Sequence, residues 1–247
     1  MYLVLCHPYD AAAIWAHGAL GAAVDGRVEL VLSSELARAV RWRHRVTAGG
    51  GLDLCVELDD GRELRSSEVH GVLNRLMSAP LEVVAAGDSD DAEYATAELV
   101  AFYMSWLNAF GVTINRPTPL GLCGAWRHGS EWAVLAARAG LDAPDYRQSD
   151  DDPPEHGFGS LAPPGAALTS VLELRGELFG PALAGDVAEA CVRLAELSGT
   201  DLLGIDLCAP ASGAPALAYA TPWPDLRRGG APLIGALARA LERDAPA

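Results

Sequence analysis

The chain has 247 residues, half of them hydrophobic, and a formal net charge of −15. That length and apolar fraction support a large buried core and exclude a disordered polymer. A surface so acidic argues against nucleic acid and membrane as partners. All 18 cationic residues are arginine, which excludes a Schiff-base lysine and a P-loop, whose lysine reaches the phosphates.

In chain order, "MYLVLCH" reads as a buried strand, "AAAIWAHGALGAAV" as a helix and "VELVLSS" as a second strand. "ARAVRWRHRV" would, as a strand, put Arg41, Arg43 and Arg45 on one face and Trp42 and His44 on the other. In so acidic a chain this strip is either an edge protected by charge or a site for an acidic peptide or partner. "LDLCVELDDGREL" alternates about an Asp-Asp-Gly turn and predicts a hairpin, and "HGVLNRL" a further strand. Asp90 followed by Glu93 signals a helix start, and Leu99, Phe102, Tyr103, Trp106 and Phe110 form one apolar stripe at helical spacing, expected to face the core. "VTINRP" is a strand stopped by Pro117, and "SEWAVLAARAG" a helix expected to be capped by Ser130 and ended by Gly140.

Residues 141–169 are rich in Pro, Gly and acids and lack periodicity, as a linker or long loop would. Beyond them, "SVLELRGELFG" predicts a short hairpin, "VAEACVRLAELSG" a helix, "LLGIDLC" and "APALAYAT" a strand pair, and "APLIGALARALER" a terminal helix. Alternating strands and helices before the linker, and a smaller α+β unit after it, give an α/β protein with an N-terminal parallel-type sheet.

The five cysteines, at 6, 55, 123, 191 and 208, are odd in number and form no C-x-x-C, so reduced buried thiols are expected. The six histidines show no H-x-x-x-H or H-x-E spacing. Cys123, between glycines ahead of a helix, is a weak nucleophile candidate with no neighbouring base. No charged-then-apolar leader opens the chain and no apolar run reaches membrane length, so a cytoplasmic location is expected. Arg75 and Arg116 end two strands expected to be parallel neighbours. There they could line the crevice where open α/β sheets bind ligands, or be paired locally with acids.

The order of these elements resembles the ATP-grasp superfamily, especially the carboxylate–amine ligases that modify peptides. The resemblance runs over most of the chain, in pieces. "VLNRL" with "AEYATAELVAFYMSWLNAFGVTINRP" resembles the pre-grasp strand, helix and V-x-N-x-P strand. "RHGSEWAVLAARAGLDAP" is similar to the K-x6-A-x3-G-L-x2-P helix, "VLELRGELFG" to V-x-V-x-G-x2-F, and "GIDLC…AYATPWPDL" to G-I-D-x…E-x-N-P-x-P. The resemblance implies a domain at 1–120 like the pre-ATP-grasp α/β domain and a truncated grasp domain at 121–247 that contains the loop 145–169.

The departures from the family pattern are specific. Arg127 stands near the first phosphate-binding cation, but the interval that would carry the second cation and the lid is only the Pro- and Asp-rich loop, so the central lid subdomain is expected to be reduced or absent. The family's metal carboxylates would fall at Asp206, 219 and 221. This chain keeps Asp206 but has Tyr219 and Thr221, a poor oxygen set for Mg²⁺. The implied reading is a degenerate, non-catalytic protein with no cofactor and a vestigial metal position at Asp206. It would bind a partner enzyme or peptide substrate in a peptide or natural-product modification pathway, with a homo-oligomer as a further possibility. Trp223, between Pro222 and Pro224, is then either an anchor for a partner or a core residue. Two alternatives stay open: an active Mg-ATP-dependent ligase with a non-standard or subunit-completed site, and a protein that binds a small anion through Arg75, Arg116 or Arg127.

Overall fold

The computed structural model describes residues 1–81, 89–143, 146, 161–162, 165–208 and 215–242. They fall into two compact units. One is Met1–Cys123 with the last segment from Ile234, and the other is Gly124–Leu233.

The first unit opens with β1 (Tyr2–Cys6), α1 (Ala11–Leu20), β2 (Val28–Leu32) and the short α2 (Ser33–Ala37). Next come β3 (Arg41–Val46), β4 (Leu52–Glu57), β5 (Glu63–Arg65) and β6 (Gly71–Asn74). The long α3 (Ser89–Ala109) and β7 (Val112–Ile114) complete it. β2, β1, β6 and β7 lie side by side in that order, and every neighbouring pair is parallel. Parallel strands are buried on both faces and read as continuous apolar runs, which is why all five residues of β1 are buried. β3, β4 and β5 make a separate antiparallel sheet with β3 at one edge.

The stripe on α3 forms the centre of this unit. Tyr103, Trp106, Leu107 and Phe110 are buried against Leu3, Leu5, Val72, Leu54 and Val56, with Leu99 and Phe102 at the margin. Tyr103 meets Trp106 edge-on at 6.1 Å between ring centroids, and Trp106 meets Phe110 likewise at 5.1 Å, the geometry the ring quadrupoles favour. Trp42 belongs to the same layer: its indole N–H donates to the Tyr103 hydroxyl at 3.3 Å.

The second unit contains α4 (Gly129–Ala139), β8 (Leu168–Leu174), β9 (Glu177–Phe179), α5 (Gly185–Ser198), β10 (Leu202–Cys208) and β11 (Ala216–Thr221). A 3₁₀ turn (Leu226–Gly229) leads into α6 (Gly230–Glu242), which runs on into the first unit's segment. The sheet order is β11-β10-β8-β9, antiparallel throughout. α4 and α5 cover it through Trp132, Ala136, Ala190, Cys191 and Leu194. β8 and β9 are joined by Arg175 at φ 46° and Gly176 at φ 93°, the two left-handed positions that a two-residue hairpin turn requires.

The expected cap of α4 moves. His128, not Ser130, is the N-cap residue, its ring Nδ1 lying 3.4 Å from the Ser130 N–H, and Glu131 accepts from the His128 N–H at 3.1 Å. Gly140 ends the helix at φ 85°, as expected. Of the loop 145–169, residues 145, 147–160 and 163–164 lie outside the described residues, Arg147 and His156 with them. Among the described part of it, β structure begins only at Leu168.

Candidate functional site

Asp206 sits on β10 directly opposite Tyr219 of β11, and the pairing shifts register immediately after it. Gly204, two residues earlier, lets the following turn approach: a Cβ there would lie 2.7 Å from Pro224 Cβ. Pro222-Trp223-Pro224 therefore folds over β10, and the 3₁₀ turn brings Arg228 back to the strand. Arg228 Nη1 donates to Asp206 Oδ1 at 3.3 Å and to Ser170 Oγ at 2.6 Å. The result is a small cavity of about 160 Å³ whose wall includes Asp206, Tyr219, Thr221, Trp223 and Arg228.

This donor set does not fit a Mg²⁺ site. A hard dication needs several oxygen ligands, usually with more than one carboxylate or phosphate, and here both carboxylates of the wall, Asp206 and Asp225, are engaged by guanidiniums, those of Arg228 and Arg227. Among the described residues no three His, Cys, Asp or Glu side chains gather as a metal site would require. Trp223 is half-buried in this wall, its backbone N–H donating to Thr221 Oγ1 at 3.1 Å.

On the side of β11 toward α4 lies a larger cavity of about 330 Å³, lined by Trp126, Arg127, His128, Trp132, Tyr219 and Pro222 among others. Arg127 stacks on Trp132, its guanidinium carbon 6.0 Å from the ring centroid, and its Nη2 donates to the Ser198 carbonyl at 3.2 Å. Its Nε is buried and has no partner among the described residues. The structure thus brings Arg127 and Tyr219 to one cavity, and Tyr219 and Asp206 to another.

The other candidates are elsewhere. Arg75 ends β6 but is buried and paired. Its Nε donates to Asp10 Oδ2 at 2.9 Å and its Nη2 to Asp10 Oδ1 at 3.3 Å. Asp10 also caps α1, accepting from the Ala13 N–H at 3.0 Å. This is the local pairing, and it turns the Arg75 fork onto a protein carboxylate. Arg116 is exposed after β7, its Nη2 donating to the Gly111 carbonyl at 2.7 Å. Cys123 is buried, and burial pushes its thiol up to about 11, the opposite of the activation a nucleophile needs. Arg41, Arg43 and Arg45 lie along β3 as the alternation required, with Arg41 3.5 Å from Glu57.

Asp10 and Arg228 were not singled out from the sequence. The signal for Asp10 was its place before "AAAIWA", a helix-capping position; Arg228 gave none beyond its charge.

A parallel sheet on one unit and an antiparallel β8–β11 sheet on the other are shared with solved structures of the ATP-grasp-like fold. Solved structures agree over nearly the whole chain. The macrocyclase MdnC of Microcystis aeruginosa, bound to its precursor peptide MdnA, superposes with a TM-score of 0.71 at 13% identity, covering 98% of this chain and 100% of that one. The ATP-grasp ligase PsnB, complexed with a minimal precursor, Mg and ADP, gives 0.68 at 14% identity, with 99% and 98% covered. A RiPP-associated ATP-grasp ligase of Chryseobacterium gregarium, with ADP and a leader and core peptide, gives 0.68 at 9% identity, with 100% and 98% covered. No family model and no curated protein matches the sequence. The likeness is therefore one of fold, that of the peptide-modifying ATP-grasp ligases.

Proposed function

We propose that this chain is a degenerate, non-catalytic ATP-grasp-like protein that binds a partner enzyme or a peptide substrate in a peptide or natural-product modification pathway. The observation that carries this reading is the Arg228–Asp206 contact. An internal cation takes up the one carboxylate left at the position where the resemblance expects a metal, and the facing residue is Tyr219. A catalyst of this class needs Mg²⁺ there to bridge substrate phosphates, and a guanidinium offers neither coordination sites nor Lewis acidity. The peptide-partner half of the reading is supported by the three solved neighbours named above, all complexed with precursor, or leader and core, peptides.

One observation favours a second reading, a retained Mg-ATP or small-anion site. Arg127, whose buried Nε has no partner among the described residues, lines a cavity of about 330 Å³, and PsnB has been solved with Mg and ADP.

Melting curves separate the two. A ligand at a hundredfold excess over Kd stabilises a fold by about 2.7 kcal/mol. With millimolar ATP and Mg²⁺ the non-catalytic reading expects no rise in melting temperature. A Mg²⁺-dependent rise that Asp206→Ala removes identifies a ligase, and a rise with phosphate or ATP that needs Arg127 but not Mg²⁺ identifies an anion site.

A further inference from the structure

We infer that the free edge of β3 in the first unit is a docking site for an acidic peptide, which adds as an extended strand. The inference goes beyond the reading of Asp206 and is independent of it, since it concerns the other unit and would hold equally for an active ligase.

The argument starts from the phase of the β3–β4 ladder. The hairpin turn is closed by the Thr47 N–H donating to the Gly51 carbonyl at 2.8 Å, and the pairs that follow are Val46↔Leu52, Arg45↔Asp53, His44↔Leu54, Arg43↔Cys55, Trp42↔Val56 and Arg41↔Glu57. In an antiparallel ladder hydrogen-bonded and non-hydrogen-bonded pairs alternate. Arg45, Arg43 and Arg41 therefore spend their backbone groups on β4, while those of Trp42, His44 and Val46 point away from it. Among the described residues β3 is the edge of its sheet, so these N–H and C=O groups present a strand-length template, and His44 and Val46 are exposed. A row of unpaired ladder groups is what an added strand recognises.

The side chains state what kind of strand. Arg41, Arg43 and Arg45 share one face. Arg41 leans on Glu57 at 3.5 Å. Arg43 stands opposite Cys55, and Arg45 opposite Asp53, and among the described residues neither guanidinium has an ion pair. Two such arginines two residues apart on β3 give a local cationic strip in a chain of net charge −15. On the opposite face Val46, 64% exposed, adds apolar surface beyond the buried part of Trp42. The complementary strand carries Asp or Glu at every second position and apolar residues between. A second copy of β3 is excluded as the occupant by the same charges, since pairing the strip with itself sets arginines against arginines.

The test uses the full chain, without nucleotide, and a fluorescein-labelled octapeptide of alternating Glu and Val, followed by fluorescence anisotropy at low and high salt. The expected result is saturable, salt-sensitive binding that weakens on the order of tenfold or more in three cases. These are Arg43→Glu with Arg45→Glu, N-methylation of every second peptide nitrogen on the edge-facing side, and the isomer with four Glu followed by four Val. The charge-reversed variant should instead take the matching Arg/Val octapeptide, which also shows that it is folded. Absence of binding, binding indifferent to N-methylation, or binding indifferent to charge reversal would each overturn the inference. None of these results bears on Asp206, so failure here leaves the proposed function standing.

Discussion

Glu173 offers a perturbation whose size follows from its surroundings. It lies on β8, 2% exposed, flanked across the ladder by Leu203 and Leu178. Its Oε1 accepts the Gly176 N–H of the hairpin turn, while Oε2 is buried with no partner among the described residues. Burial pushes the carboxyl up from 4.5 to about 7. The Gly176 N–H opposes this, and the charges of Asp201 and Glu196 add to it. Because the folded state holds the proton more tightly than the unfolded one, this group's contribution to stability is greatest below pH 4.5 and falls as pH rises toward 7. At about 1.4 kcal/mol per pH unit, the full penalty is roughly 3 kcal/mol above pH 7. Glu173→Gln keeps the shape and removes the ionisation. Urea unfolding at pH 5.5 and pH 8.5 should find the variant's advantage over wild type larger at the higher pH by about 2 kcal/mol. A difference that is constant with pH, or that shrinks as pH rises, refutes the claim that this carboxyl is held protonated by burial.

Other substitutions probe the rest of the account. Asp10→Ala removes both the cap of α1 and the charge opposing buried Arg75, and should cost about 3–5 kcal/mol in chemical denaturation, with Asp10→Asn intermediate. Arg228→Ala breaks a half-exposed pair and should change stability by less than about 1 kcal/mol, measured the same way. Trp223→Ala, at a half-buried site, should cost clearly less than the roughly 3–5 kcal/mol of a fully buried tryptophan; a melting curve checks this, and sedimentation velocity shows whether association weakens.

The legible parts of the fold were those where burial writes an unambiguous pattern. β1 is a continuous apolar run because it is covered on both faces, β10 is an apolar run broken only by Asp206, and α3 announces itself by one aromatic stripe. β3 was legible only as a conditional strand, since its alternation is of arginine with Trp and His, and only Trp42 reaches the core. α2 was missed because "SSELA" is a five-residue helix too short to show a period. The α4 cap moved by two residues because histidine is a rare N-cap that propensity does not favour over the nearby serine. At the candidate site, Asp206 and its neighbours Tyr219 and Thr221 could be read from the strand pair. Arg228 and Asp10 could not be read as partners, because each bond joins residues far apart in sequence, 22 positions for Arg228–Asp206 and 65 for Arg75–Asp10. Glu173 was hidden for a related reason: β8 is buried on both sides at this point, so alternation does not mark which residue faces in.

The central claim is that the Asp206 position has lost its metal and nucleotide chemistry. Equilibrium dialysis of the wild-type chain against millimolar radiolabelled ATP, with and without Mg²⁺, tests it most directly. The account predicts no saturable nucleotide binding that depends on Mg²⁺. Stoichiometric, Mg²⁺-dependent binding that disappears in Asp206→Ala would contradict it.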